Sequence, residues 1–381
     1  MTPITLFQTP RLVFGNGSAA GCVELLARRG VKRVLLVSST PVLPQIGFLL
    51  EALAQAGCET VQCAPVDREP TKAVFAQVLG TAREGEIEAV LGVGGGSALD
   101  VAKLAAALAR GHQSVEEVFG TNLLAGRELP LVCLPTTAGT GSEVSPNAIL
   151  LDESDELKKG VVSPYLVPDA AIVDPLLTLS VPSAVTAATG LDALTHCIEA
   201  YANKFAHPLI DLYALGGIRL IGGALLRAVH NGGDLQARAD LSLGSLYGGV
   251  CLGPVNTGAV HALAYPLGGR FHVAHGVANS LLLPHVLRFN LPAAAERYAE
   301  VAVALGEQRS GDVLETAARG LDRLARLSAQ CGVPQRLSDL GVPRDAIPGM
   351  ARAAMQVTRL LKNNLRVVTE ADATTIYEAS Y

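Results

Sequence analysis

Residues 1–178 are predicted to form an α/β domain on a parallel sheet, and residues 179–381 an all-α domain. Three observations carry that prediction. Short apolar runs alternate with helical patterns through the first half. Those runs are apolar throughout rather than alternating, as strands covered on both faces are. Beyond about Asp174 the strand signal fades, and Ala/Leu-rich helical stretches follow one another. At 381 residues the chain exceeds one ordinary core, so two domains with a cleft between them are expected.

In order along the chain, 31–37 (VKRVLLV) is a β-branched strand run and 46–56 has helical spacing. Residues 60–64 read as a strand, 73–84 as a helix, and 89–93 as an apolar strand that stops at glycines. Residues 99–110 are Ala/Leu-rich and helical, and 129–134 form another buried strand. The boundary falls at 176–182 (LLTLSVP), followed by helices at 184–201, 209–231, 235–251, 293–305 and 313–329. In such parallel sheets ligands bind at the carboxyl ends of the strands.

Composition excludes several classes. The chain is 49% apolar and 17% charged, which fits a globular protein rather than a disordered one. A net charge of -5 leaves no basic excess to neutralise phosphates, so no nucleic-acid partner is expected. The seven cysteines are scattered, odd in number and free of CxxC spacing, which points to reduced thiols. The N-terminus lacks a basic-then-apolar signal pattern, and the apolar run 280–283 stops at Pro284, short of the roughly 20 residues of a membrane span. A cytoplasmic protein with no membrane association is the expectation.

Two loops suit a phosphate-bearing ligand. At 91–103 (LGVGGGSALDVAK) a buried strand runs into Gly94, Gly95, Gly96 and Ser97, and a helix follows at once. Glycines let the backbone approach a pyrophosphate, and the helix N-terminus presents N–H groups and partial positive charge. The pattern departs from GxGxxG, since Ser97 stands where the last glycine would be, and a plain tight turn is the alternative. Asp100 is expected in the first turn of that helix, either as an N-terminal charge or as a hydrogen-bond partner of a ligand. The second loop, 135–147 (PTTAGTGSEVSPN), carries Thr136, Thr137, Thr140, Ser142 and Ser145 among glycines. Such hydroxyls and backbone N–H groups can wrap phosphate and ribose oxygens. Lys158 and Lys159 follow, as surface lysines or as cofactor contacts.

A metal-ligating pattern lies in the second half. In 190–201 (GLDALTHCIEAY) Asp192 and His196 are i and i+4 on a helix and share a face. Of only eight histidines, His261, His272, His275 and His285 crowd into one Gly-rich stretch. One carboxylate with imidazoles suits Fe²⁺, Zn²⁺, Mn²⁺ or Co²⁺. Spacing alone leaves His272 and His275 as rivals.

Taken together, these segments resemble the iron-containing (group III) alcohol dehydrogenase family. The matching pieces are FGNGS at 14–18, GGGSALDVAK at 94–103, PTTAGTGSEV at 135–144, TGLDALTHCIEAY at 189–201, VHALAYPLGG at 260–269 and HGVANSLLLPHVLRFN at 275–290, in family order over nearly the whole chain. The resemblance implies a Rossmann-like nucleotide-binding domain and a helical metal-binding domain, the dehydroquinate synthase-like architecture. It implies NAD or NADP as cofactor, Fe²⁺ or Zn²⁺ as metal, a small alcohol or aldehyde as substrate, and a homodimer or larger homo-oligomer. It assigns the metal to Asp192, His196, His261 and His275, preferring His275 to His272. It carries cofactor contacts onto Gly94, Gly95, Gly96, Ser97, Asp100, Thr136, Thr137, Thr140, Ser142 and Lys158.

Two departures from the family pattern matter. Many members carry Asp at the end of the second-strand segment, where it meets the adenosine ribose. Here Ser39 stands there, which removes a repulsion against a 2′-phosphate and leaves NAD only slightly favoured. Many members also carry His four residues after the third ligand, whereas here Tyr265 occupies that place. With an ordinary pKa near 10, tyrosine is a poorer proton relay at neutral pH. The implied chemistry is hydride transfer between an alcohol carbon and nicotinamide, with the metal as Lewis acid on the substrate oxygen. A metal-free maleylacetate reductase-like enzyme and a non-catalytic nucleotide-binding module are the competing readings.

Overall fold

The computed structural model describes residues 2–67, 69–154 and 157–381. Backbone contacts divide the chain into two compact units. One comprises Leu6–Thr137 and Gly141–Ser180; the other comprises Val181–Tyr381, Ala138–Thr140 and the segment ending at Thr5.

The first unit is built on six parallel strands: β1 (Arg11–Phe14), β2 (Arg33–Val37), β3 (Glu59–Cys63), β4 (Ala89–Gly94), β6 (Leu131–Pro135) and β9 (Ala170–Val173), ordered β1-β9-β6-β4-β2-β3. Helices α1 (Gly21–Arg28), α2 (Gly47–Gln55), α3 (Lys72–Glu84) and α4 (Gly96–Leu108) cover it. Strand β2 explains why the runs are apolar throughout. Val34 and Leu36 join the core that holds α1 and α2, while Leu35 and Val37 join the core that holds α3 and α4. Alternate side chains point to opposite faces, and both faces are dry. A second, three-stranded sheet, ordered β5-β8-β7, combines β5 (Gly120–Thr121), next to the short helix α5 (Val115–Val118), with an antiparallel hairpin of β7 (Asn147–Asp152) and β8 (Leu157–Val162). The strand pattern had not indicated this sheet.

The second unit is helical: α6 (Ser183–Tyr201), α7 (Pro208–His230), α8 (Leu235–Leu252), α9 (Ala259–Phe271), α10 (His275–Asn290), α11 (Ala295–Ala304), α12 (Val313–Gln330), α13 (Ile347–Met355), α14 (Thr358–Leu361) and α15 (Glu370–Ala379). The Gly-rich stretch around His261 and His275 is thus two helices, α9 and α10. Helix α7 is long and apolar enough to cross a membrane by length and composition, and here it packs against α6 and α8. All seven cysteines are free and buried, four in the sheet unit and three in the helical unit.

Candidate metal centre and glycine loops

Three helices carry the predicted ligand residues. Asp192 and His196 project from successive turns of α6. His261 lies in the first turn of α9, and His275 is the first residue of α10. Between the last two, His272 closes α9 in a left-handed conformation (φ 55°) and is exposed. It takes no part in the cluster. Gly276 sets the approach of α10 to α6, because a Cβ there would stand 2.0 Å from the Ala188 carbonyl oxygen. Only glycine permits that contact, and it seats His275 beside the ligands of α6.

The ligand atoms converge on Asp192 Oδ1. His261 Nε2 lies 3.6 Å from it, His275 Nε2 3.8 Å and His196 Nε2 3.9 Å. Asp192, His261 and His275 form a group whose ligand atoms all lie within 4.8 Å of one another, and His196 stacks on His261 with ring centroids 4.7 Å apart. Ligands about 2.1 Å from one ion in a tetrahedral arrangement stand roughly 3.4 Å apart, so these separations suit a shared ion. Asp192, His196 and His261 are buried, whereas the His275 side chain is 29% exposed and leaves the cluster open on that side.

A carboxylate supports the cluster from behind. Glu199, two turns along α6 from Asp192, accepts from the Val260 backbone N–H through Oε1 (2.7 Å) and holds His261 Nδ1 through Oε2 (2.5 Å). It thereby satisfies an N-terminal N–H of α9, whose Gly258 cap offers no side chain. With Nδ1–H given to Glu199, His261 presents the Nε2 lone pair to the cluster, the arrangement by which carboxylates orient metal-bound imidazoles. Electrostatics follow from this packing. Burial disfavours ionised Asp192, but the three imidazoles outweigh burial and hold its carboxyl well below the usual range. Burial also disfavours protonated His261, yet Glu199 and Asp192 outweigh it and raise the imidazole to about 9. For His196 burial wins, and its pKa falls despite Asp192. Protons thus compete for one side of a site whose carboxylate stays ionised. Asp192, His261 and His275, with ligand atoms within 4.8 Å of one another, have the donor chemistry and spacing that suit a divalent metal, and His196 stacks beside them. The Tyr265 ring lies 6.1 Å from that of His275, half-buried at the rim.

In the sheet unit, the two polar loops leave neighbouring strands. β4 pairs with β6, Gly94 opposite Pro135, and the Thr136 N–H bonds the Gly94 carbonyl (2.9 Å). Helix α4 starts immediately, with Gly95 as a cap that offers no side chain. A Cβ at Gly94 would stand 2.7 Å from Ala98 Cβ, so the turn requires glycine. Asp100 is the fifth residue of α4, past its first turn, which corrects the placement expected from sequence. Its carboxylate accepts from Ser142 Oγ (2.5 Å) and the Ile149 N–H (2.9 Å), tying the second loop to α4. Buried Lys103 completes the tie, donating to the carbonyls of Ser145 (2.8 Å) and Asn147 (2.7 Å) and to Ser145 Oγ (3.3 Å). Thr137 packs beside Gly95, while Thr140 lies in the segment that groups with the helical unit. Lys158 is buried and paired with Glu69, and Lys159 with Asp152 (2.6 Å). Ser39 follows β2, and next to it Thr40 binds the Asp67 carboxylate through N–H (2.7 Å) and Oγ1 (2.9 Å).

Comparison with known proteins agrees in both halves. The sequence profile of iron-containing alcohol dehydrogenase matches residues 9–175, and that of the Fe-containing alcohol dehydrogenase family, C-terminal, matches residues 186–381. The chain belongs to the iron-containing alcohol dehydrogenase family. It is 42% identical over 375 residues to long-chain-alcohol dehydrogenase 1 of Geobacillus thermodenitrificans, covering 96% of this chain and 94% of that one. A crystal structure of 1,3-propanediol oxidoreductase superposes with a TM-score of 0.96 at 35% identity, covering all of both chains. Sulfoacetaldehyde reductase from Bifidobacterium kashiwanohense, solved with NAD+, gives 0.89 at 28% identity, covering 100% of this chain and 99% of that one. This family member is accordingly an oxidoreductase of the alcohol dehydrogenase class. Sequence reasoning had missed Glu199, Asn279 and Lys103. Glu199 is i+7 from Asp192 and Asn279 is i+4 from His275, so helical spacing from the ligands would have found both.

Proposed function

We propose that this enzyme is an NAD-linked, metal-dependent dehydrogenase that interconverts a primary or small secondary alcohol with its aldehyde or ketone. The observation that carries the reading is the buried convergence of Asp192 Oδ1 with the Nε2 atoms of His261 and His275. With His196, these residues would hold Fe²⁺, and the same donor set takes Zn²⁺. When bound, the ion supplies Lewis acidity toward the substrate oxygen, and the nicotinamide supplies the hydride acceptor or donor. The chain's own groups do the rest. Glu199, bonded to His261 Nδ1, would leave Nε2 facing the ion, and with the imidazoles deprotonated on binding, one carboxylate among the ligands would leave net positive charge for an oxygen ligand. Tyr265, whose ring lies 6.1 Å from that of His275, would exchange the hydroxyl proton through Oη. Gly94, Gly95, Gly96 and Ser97 at the start of α4 would receive the pyrophosphate, with hydroxyls from Thr136, Thr137, Thr140 and Ser142 around it. Asp67, beside Ser39 at the end of the strand next to β4, supports NAD, because its carboxylate would repel a 2′-phosphate.

The test is a His261→Ala variant assayed for metal content and for NADH oxidation across an aldehyde panel. Metal and turnover should disappear together, and Fe²⁺ or Zn²⁺ added to stripped wild type should restore turnover. Full turnover by a metal-free variant would sink the proposal.

A further inference from the structure

Asn279 is a polar residue that the core does not need. It lies in α10, fully buried within the otherwise apolar run 278–284 apart from Ser280. Burying an amide is costly unless it is hydrogen-bonded. Asn279 spends its amide on the ligand cluster. Its Nδ2 donates to Asp192 Oδ1 at 2.7 Å and lies 3.1 Å from His261 Nε2 and 3.2 Å from His275 Nε2. Its own Oδ1 is buried with no partner among the described residues. The amide thus spends its N–H on the cluster, while its carbonyl oxygen carries the cost of burial without a partner among the described residues.

We infer that Asn279 is a positioning residue of the metal centre, acting through Asp192. The assignment rests on the metal reading above. Asp192 Oδ1 is the atom on which all three imidazole nitrogens converge, so the direction of its lone pairs governs the shape of the site. One Asn279 N–H fixes the turn of that carboxylate about its Cβ–Cγ bond. Helical spacing ties the device together, because Asn279 stands one turn after His275 and α10 delivers a ligand and the group that aims a second ligand from one face. A neutral amide also suits the place. An ammonium would compete with the ion, and a carboxylate would cancel the positive charge that an oxygen ligand needs.

The test uses the full chain with Co²⁺ and Zn²⁺ as probes, in wild type, Asn279→Ala and the nearly isosteric Asn279→Leu. Affinity is measured by competition with a chromophoric chelator, the ligand field by visible absorption of the Co²⁺ form, and folding by the melting temperature of the metal-free protein. Loss of outer groups that orient metal ligands typically costs about 10–100-fold in affinity. Both variants should lose affinity in that range and shift the Co²⁺ bands, and Asn279→Leu should do so with a wild-type-like metal-free melt. Wild-type affinity and an unchanged Co²⁺ spectrum in a folded variant would overturn the assignment, whatever happens to the melting temperature. Failure of wild type to take up one ion per chain would instead overturn the metal reading itself, and this assignment with it.

Discussion

Glu143 offers a stability experiment in which burial outweighs its own backbone hydrogen bond and the charge of Lys103. It sits in the loop between β6 and β7, 2% exposed, and burial pushes its carboxyl from 4.5 up to about 7. Between those values the folded chain keeps a proton that the unfolded chain has released. Stability from this group is therefore intact below pH 4.5, declines as pH rises toward 7, and stays low above it. At about 1.4 kcal/mol per pH unit, that interval is worth roughly 3.5 kcal/mol, or about 7–14 °C in the melting temperature of a unit this size. Glu143→Gln keeps the shape and cannot ionise. Thermal unfolding of both proteins at pH 5, 6, 7 and 8 should give curves that separate as pH rises, the variant being the more stable at pH 8. Neighbouring Asp100, whose pKa burial also raises, titrates in both proteins, so its own contribution largely cancels in the difference. Two parallel curves, or a variant that is weaker at pH 8, would refute the reasoning.

Glu199→Gln should weaken Zn²⁺ binding by about 10–100-fold in a chelator competition, because the carboxylate that orients His261 is lost, while the neutral side chain still fits its place. Asp67→Asn should shift the ratio of NADPH to NADH affinity toward NADPH. In water a dianion and a carboxylate within about 10 Å repel by roughly 0.8 kcal/mol or more, a few-fold in affinity. Fluorescence titration of both cofactors measures that ratio, and an unchanged ratio would remove Asp67 from cofactor choice.

The sequence was legible where periodicity or composition is one-sided. β2, β4 and β6 are buried on both faces and read as unbroken apolar runs, and the glycines after β4 mark the turn into α4. β1 and β9 have four residues each, too short for any period to register. The hairpin was hidden because β8 (LKKGVV) carries two lysines whose charges are met by Glu69 and Asp152, partners distant or turned inward in ways that spacing does not encode. At the metal cluster, Asp192 and His196 were readable from one helix. His261 was suggested by the clustering of histidines, and His275 needed the family pattern to separate it from His272, because α10 meets α6 only through tertiary contacts such as Gly276 against Ala188. Glu199 and Asn279 went unread because a carboxylate and an amide on apolar helices carry no metal signature of their own.

The seven internal thiols give this enzyme a built-in record of where it opens. Cys22, Cys58, Cys63 and Cys133 report on the sheet unit, and Cys197, Cys251 and Cys331 on the helical one. Burial raises the pKa of each, so alkylation has to wait for exposure. Mass-resolved labelling would then time the breathing of the two halves separately. A metal that steadies the helical unit would slow the clock at Cys197 and Cys251, and a nucleotide that steadies the sheet would slow the one at Cys133.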